Sequence, residues 1–143
     1  MKKTRYIAYG SNLNQAQMQR RCPDSKVLSV GQLLNYRLEF RRVLTVVPCP
    51  GSSVPVAVWQ ISDRDEAKLD LYEGYPSCYR KETLLINFPD GSHCKAMAYL
   101  MNKGFIAPPS ILYWNIVKEG YKNFNFDSGV LNAALRESRH KEP

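Results

Sequence analysis

Two parts of this 143-residue chain have residue types and spacing that could do chemistry. The first is Tyr6-Ile-Ala-Tyr-Gly-Ser-Asn-Leu13. Tyr6 to Tyr9 are β-formers with no polar break, which reads as a buried strand. Gly10 turns the backbone at low steric cost, and Ser11 and Asn12 precede a helix-forming run, Asn14 to Arg21. A core strand thus ends in a tight turn, and the backbone N–H groups of Gly10, Ser11, Asn12 and Leu13 are free to face a carboxylate or a developing oxyanion. Ser11 has a nucleophile's hydroxyl, but no histidine or lysine is placed in sequence to activate it. Its backbone is expected to matter more than its side chain.

The second part is Glu73, in Leu69-Asp-Leu-Tyr-Glu-Gly-Tyr-Pro76. A helix is predicted to end at Gly74, so Glu73 meets the unfavourable end of the helix dipole. Its apolar and aromatic neighbours would desolvate it, and both effects raise a carboxyl pKa towards that of a base usable near neutrality. Read locally, the position also suits an exposed glutamate before a turn glycine. Asp70, three residues earlier on a neighbouring face, is a competing acid with a structural reading. Tyr79 and Tyr99 fall on strands paired across the Asp90-Gly91 turn. They could point into one cavity, or be core tyrosines with satisfied hydroxyls.

Other chemistries find little support. Cys22, Cys49, Cys78 and Cys94 form no CxxC pair, so zinc-ligand spacing is absent. Cys78 and Cys94 could face each other across a hairpin, although structural thiols are the better reading in a reducing compartment. His93 and His140 are the only histidines, which argues against a Cys–His pair. The net charge of +7 invites a nucleic-acid reading. The basic residues are scattered, however, from Lys2, Lys3 and Arg5 through Arg20, Arg21, Arg37, Arg41 and Arg42 to Arg136, Arg139 and Lys141, so no nucleic-acid partner is expected. No apolar run is long enough to span a membrane. The N-terminal Met1-Lys-Lys-Thr-Arg leads into a strand rather than a signal peptide, so the expected compartment is the cytosol. Nothing in the sequence distinguishes a monomer from a homodimer.

The elements that must position these residues follow from periodicity. Length and composition suit a single domain over residues 1–143. Leu34, Tyr36, Leu38 and Phe40 alternate with polar residues, as in a half-buried strand. Pro48 to Ser53 reads as an irregular surface loop, and Val54 to Ile61 as a strand whose Pro55 marks an edge or bulge. Ser62 can cap a helix from Asp65 to Tyr72. Tyr79–Phe88 and His93–Met101 form a hairpin. A helix follows Pro108-Pro-Ser110, with Ile111, Leu112, Ile116 and Val117 expected on its inner side, and a last helix runs from Gly129 to Arg139. Five or six strands clustered as hairpins, with four helices, predict an α+β domain: a small, curved, mostly antiparallel β-barrel flanked by helices.

The segment Tyr6-Ile-Ala-Tyr-Gly-Ser-Asn-Leu13 resembles the opening motif of the γ-glutamylcyclotransferases and their AIG2-like relatives. Leu69-Asp-Leu-Tyr-Glu-Gly-Tyr75 resembles the segment that carries that family's catalytic glutamate. Tyr79 with its strand, Ala98-Tyr-Leu-Met101, and Pro108-Pro-Ser110 with Tyr113, Ile116 and Gly120 are similar to further family segments in the same order. The resemblance covers roughly residues 5 to 122; Lys122 to Pro143 matches no motif. It implies a small β-barrel and a cofactor-free reaction in which the α-amine of a γ-glutamyl compound attacks its own γ-carbonyl, giving 5-oxoproline and a free amine or amino acid. On this reading Glu73 is the general acid/base, the turn from Tyr9 through Gly10, Ser11, Asn12 and Leu13 holds the α-carboxylate and oxyanion, and Tyr79 and Tyr99 contact the glutamyl group. The partner would be a small γ-glutamyl molecule. An alternative is a non-catalytic module that binds a small acid or peptide end through the same turn. If the Ser11 backbone matters more than its hydroxyl, Ser11→Ala keeps much of the cyclising activity; complete loss in a folded variant would contradict this.

Overall fold

The apolar run near the start forms strand β1 (Lys3–Ala8), with Tyr6, Ile7 and Ala8 buried. In this computed structural model, which describes residues 3–140, the chain then makes a single 3-10 turn, Ser11–Leu13, and helix α1 (Gln15–Arg21). Met1, Lys2 and residues 141–143, including the basic Lys141 and part of the N-terminal charged run, lie outside the described residues. Asn14 caps α1, its side chain accepting from the Gln17 amide, which meets a donor the first helical turn leaves unpaired.

Two long strands follow, β2 (Lys26–Arg41) and β3 (Val43–Ser62), joined as a hairpin through Arg42 at φ 68°. Helix α2 (Asp63–Glu73) starts on a capping box between Ser62 and Asp65 and stops at Gly74, whose φ of 68° is left-handed. Strands β4 (Tyr79–Asn87) and β5 (His93–Met101) form the second hairpin. Helix α3 (Ile111–Asn123) is capped by Ser110, and α4 (Gly129–His140) ends the described chain. The strands close into a barrel in the order β1-β3-β2-β4-β5. Every pairing is antiparallel except the closing one, β1 against β5 at Tyr6–Met97. The expected α+β barrel with flanking helices is therefore present, with five strands and four helices.

Several details differ from the periodicity. Pro48 to Ser53 is not a free loop. It belongs to β3, where Cys49 to Ser52 bulge out opposite the single residue Asn35, between the pairs Tyr36–Pro48 and Leu34–Ser53. Asn35 adopts φ 66° and accepts the Gly51 amide at 3.0 Å. A bulge shifts the two-residue alternation by one position, so Leu33 is buried and Leu34 is exposed, while Leu38 and Phe40 return to the core. On α3, Ile111 and Leu112 face solvent; Val117, Gly120 and Tyr121 carry the buried side. On α2 only Asp65 and Leu69 are buried, and Leu71 is exposed. Cys78 and Cys94 do not oppose each other: Cys94 pairs with Ile86, and Cys78 precedes Tyr79, which pairs with Met101. All four thiols are free. The segment after Lys122, which matched no motif, supplies α4, buried through Leu131 and Ala134 and tied to β2 by an Arg37–Glu137 ion pair at 2.9 Å.

The contact that matters most for the turn is between α3 and its backbone. A Cβ on Gly120 would stand 2.7 Å from the Asn14 nitrogen, the Leu13 carbonyl carbon and the Leu13 Cβ. Only a residue without a side chain lets the helix sit against the turn this closely. Gly120→Ala is expected to cost about 2 to 4 kcal/mol in urea unfolding, and to lower activity more than an exposed Lys118→Ala control.

Candidate active site

Tyr6, Tyr9, Gly10, Ser11 and Asn12 meet Glu73 around one cavity of about 230 Å³. Tyr79, Tyr99, Tyr113, Tyr72, Val43 and Leu44 complete its wall. The structure therefore brings together all the sequence-predicted site residues but one. Leu13 is fully buried in the core, and its N–H donates to the Gly10 carbonyl at 3.0 Å, closing the 3-10 turn. That bond leaves the Gly10, Ser11 and Asn12 N–H groups as the donors of the turn, with no protein acceptor among the described residues. The turn is held from beneath: Asn12 donates Nδ2 to the Tyr6 hydroxyl at 2.8 Å, and the Ser11 Oγ lies 2.9 Å from the Tyr72 hydroxyl.

Glu73 is the last residue of α2, at the helix end expected from Gly74. It makes no hydrogen bond or ion pair among the described residues. Burial pushes its pKa up to about 7, against the opposing pull of the Arg21 guanidinium. Asp70, the competing acid, is committed elsewhere. It accepts the Tyr99 hydroxyl at 2.5 Å and pairs with Lys81 at 3.0 Å, and Lys81 also bonds Glu66 at 2.7 Å.

The tyrosines divide by where their protons go. Tyr9 donates to the Tyr99 carbonyl at 2.6 Å, Tyr79 to the Leu44 carbonyl at 2.9 Å, and Tyr99 to Asp70. Their protons are spent on the protein, so Tyr79 and Tyr99 offer a ligand their rings and oxygen lone pairs. Tyr113 is the reverse case: its oxygen accepts the Leu44 N–H at 3.1 Å, a bond that does not use its own proton. Burial holds Tyr6, Tyr9, Tyr79, Tyr99 and Tyr113 all above the usual phenol range, so they stay neutral at physiological pH. Among the described residues no group of three His, Cys, Asp or Glu could hold a metal ion.

Tyr6, Val43, Leu44, Tyr72 and Tyr113 were not singled out from sequence as lining the cavity. Tyr113 carried one usable signal, its place four residues after Pro109. Leu44 carried none, because it reaches the cavity only through the tight turn at Arg42.

The barrel fold is shared with known proteins that this chain resembles. The family described as gamma-glutamyl cyclotransferase, AIG2-like, matches residues 6–121, and the chain belongs to it. Among individual proteins, gamma-glutamylcyclotransferase of Mus musculus is 28% identical over 130 residues, covering 82% of this chain and 69% of the mouse protein. The Homo sapiens protein of the same name is also 28% identical over 130 residues, with the same coverage. A solved structure described as a gamma-glutamyl cyclotransferase superposes with a TM-score of 0.79 at 25% identity, covering 99% of this chain and 89% of that one.

The raised Glu73 pKa has a cost in stability. The folded value, about 7, lies above the ordinary 4.5, so the folded state holds this proton more tightly than the unfolded chain does. The stabilisation is complete below about pH 4.5 and is lost as the pH rises through 7. Glu73→Gln is therefore expected to exceed the parent in stability by up to about 3 kcal/mol near pH 8, with the gap closing towards pH 5. Urea unfolding across that range measures it.

Proposed function

We propose that this chain is a γ-glutamylcyclotransferase in which Glu73 moves the proton and the Gly10–Asn12 turn holds the anionic groups. Family membership and the names of the mouse and human relatives support the reaction class. The observation that carries the residue assignment is a carboxylate with no protein partner, facing the same cavity as three unpaired backbone donors.

The reaction on this reading needs few protein groups. The α-ammonium of the substrate loses a proton to Glu73, whose pKa near 7 suits a base at neutral pH. The freed amine attacks the γ-carbonyl carbon, forming the ring C–N bond and placing negative charge on the carbonyl oxygen. The Gly10, Ser11 and Asn12 amides are suited to hold that oxyanion and the α-carboxylate. Collapse breaks the original amide C–N bond: Glu73 returns its proton to the leaving nitrogen and then takes the second proton from the ring nitrogen. A neutral lactam is left, and that second proton passes on to the released amine. The nucleophile is already part of the substrate, so the remaining demand is a folded, ring-like conformer. A small cavity walled by neutral phenols and by Leu44 supplies it.

The proposed setting is the cytosol, with a small γ-glutamyl molecule as partner. No helix among the described residues is long and apolar enough to cross a membrane. Arg37, Arg41, Arg64, Arg80 and Lys81 are each ion-paired with a carboxylate, which argues for a distributed surface charge rather than a nucleic-acid stripe.

Incubation with γ-glutamyl-alanine tests the assignment. The parent is expected to release 5-oxoproline and alanine, and Glu73→Gln to lower kcat by about a thousandfold or more with the fold intact. Release by Glu73→Gln at the parent rate would remove Glu73 from the mechanism.

A further inference from the structure

Arg21 is the last residue of α1, where a cation is favoured by the helix dipole. That local reason would serve equally for Arg20, yet Arg20 is exposed and makes no hydrogen bond among the described residues. Arg21 turns inward. Its Nη1 donates to Asn12 Oδ1 at 2.5 Å and its Nη2 to Gln17 Oε1 at 2.9 Å. Its Cζ lies 3.5 Å from the centre of the Tyr72 ring. Tyr72 in turn reaches the Ser11 Oγ, and Asn12 reaches the Tyr6 hydroxyl. A closed circuit results: turn, Arg21, end of α2, and back to the turn. Its two ends are the donors at Gly10–Asn12 and the residue immediately before Glu73.

We propose that Arg21 is a positioning residue, clamping the Gly10–Asn12 turn to the C-terminal end of α2 and so fixing where Glu73 stands relative to the turn amides. Only a planar, forked cation performs both contacts, since lysine cannot stack on Tyr72 and direct two separate donors at Asn12 and Gln17. The same cation acts on Glu73 electrostatically. The groups around that carboxylate are Tyr6 from β1, Tyr9 just after it, Tyr79 from β4, Tyr99 from β5, Tyr113 from α3, Tyr72 on its own helix, the Cys78 thiol from the following loop and, across the adjoining cavity, Lys103 after β5. Tyr6, Tyr9, Tyr79, Tyr99 and Tyr113 are held neutral by burial, and the Arg21 guanidinium favours the charged carboxylate.

This inference rests on Glu73 being the base, and the test separates the two. Two variants, Arg21→Gln and Arg21→Lys, are followed in kcat and kcat/KM with γ-glutamyl-alanine against pH. A carboxyl-carbon NMR titration of Glu73 runs alongside, its signal identified by its loss in Glu73→Gln. Arg21→Gln is expected to lower kcat about tenfold or more and to move both the acidic limb of kcat/KM and the Glu73 titration upward by about half a unit or more. Arg21→Lys keeps the charge but loses the stack and the fork, so kcat falls comparably while the titration stays within about 0.3 unit. Parent kcat in Arg21→Lys, or an unmoved Glu73 titration in Arg21→Gln, overturns the proposal, as does a drop in thermal stability alone. If Arg21→Gln does not fold, kcat of Arg21→Lys decides. Should Glu73→Gln stay active, the base assignment falls, and the titration still reports whether Arg21 acts on Glu73.

Discussion

Glu73 is largely withdrawn from water without being given a partner, and a folded chain bears that only where the surrounding structure is rigid enough to prevent the carboxyl from escaping. Here the rigidity comes from three directions. Gly74 in its left-handed conformation ends α2 at that residue. Strand β1 and its 3-10 turn form the facing wall, held against α3 by the bare backbone of Gly120. The β2–β3 hairpin tip supplies Leu44, whose peptide is gripped on both sides, its carbonyl accepting from Tyr79 and its N–H donating to Tyr113. Take away any of these and the cavity has another way to solvate the carboxylate.

The division of labour between the acids on α2 illustrates the same logic. Asp70 and Glu73 are one helical turn apart, similar in chemistry and close in space. Asp70 is surrounded by donors, with the Tyr99 hydroxyl and the Lys81 ammonium on it, and is fixed as a strut between α2 and the β4–β5 hairpin. Glu73 has none, and burial moves its proton affinity into the neutral range. Environment, not residue type, separates a structural acid from one able to exchange a proton.

Much of this was legible in the sequence, because the informative signals are local. Tyr6 to Asn12 and Leu69 to Gly74 each carry their geometry within a few residues: an apolar strand and a glycine turn in one case, a capped helix and its glycine stop in the other. The barrel followed from strands clustered as hairpins. What the sequence concealed was long-range or depended on a single backbone angle. The bulge at Asn35 reverses which of Leu33 and Leu34 is inside, and neither residue type announces it. The turn at Arg42 uses a positive φ on a residue with no special preference for it, so nothing local announces the hairpin tip that brings Leu44 to the cavity. Leu13 was grouped with its neighbours as a donor because a sequence cannot show that its N–H is consumed in closing the turn. Arg21 looked like one more surface cation, since its partners Asn12 and Tyr72 lie on separate elements.

The ring of phenols has a consequence for calorimetry. With Tyr6, Tyr9, Tyr79, Tyr99 and Tyr113 locked in their protonated forms, Glu73 is the member of the cavity wall whose protonation changes near neutrality. Any ligand that brings net negative charge into the cavity therefore draws protons from the bulk as it binds, up to one per site, and any cation expels them. The heat of binding would then carry the ionisation enthalpy of whichever buffer supplies or receives that proton. Occupancy of this cavity is written into the solution's proton balance, whether or not a bond is broken.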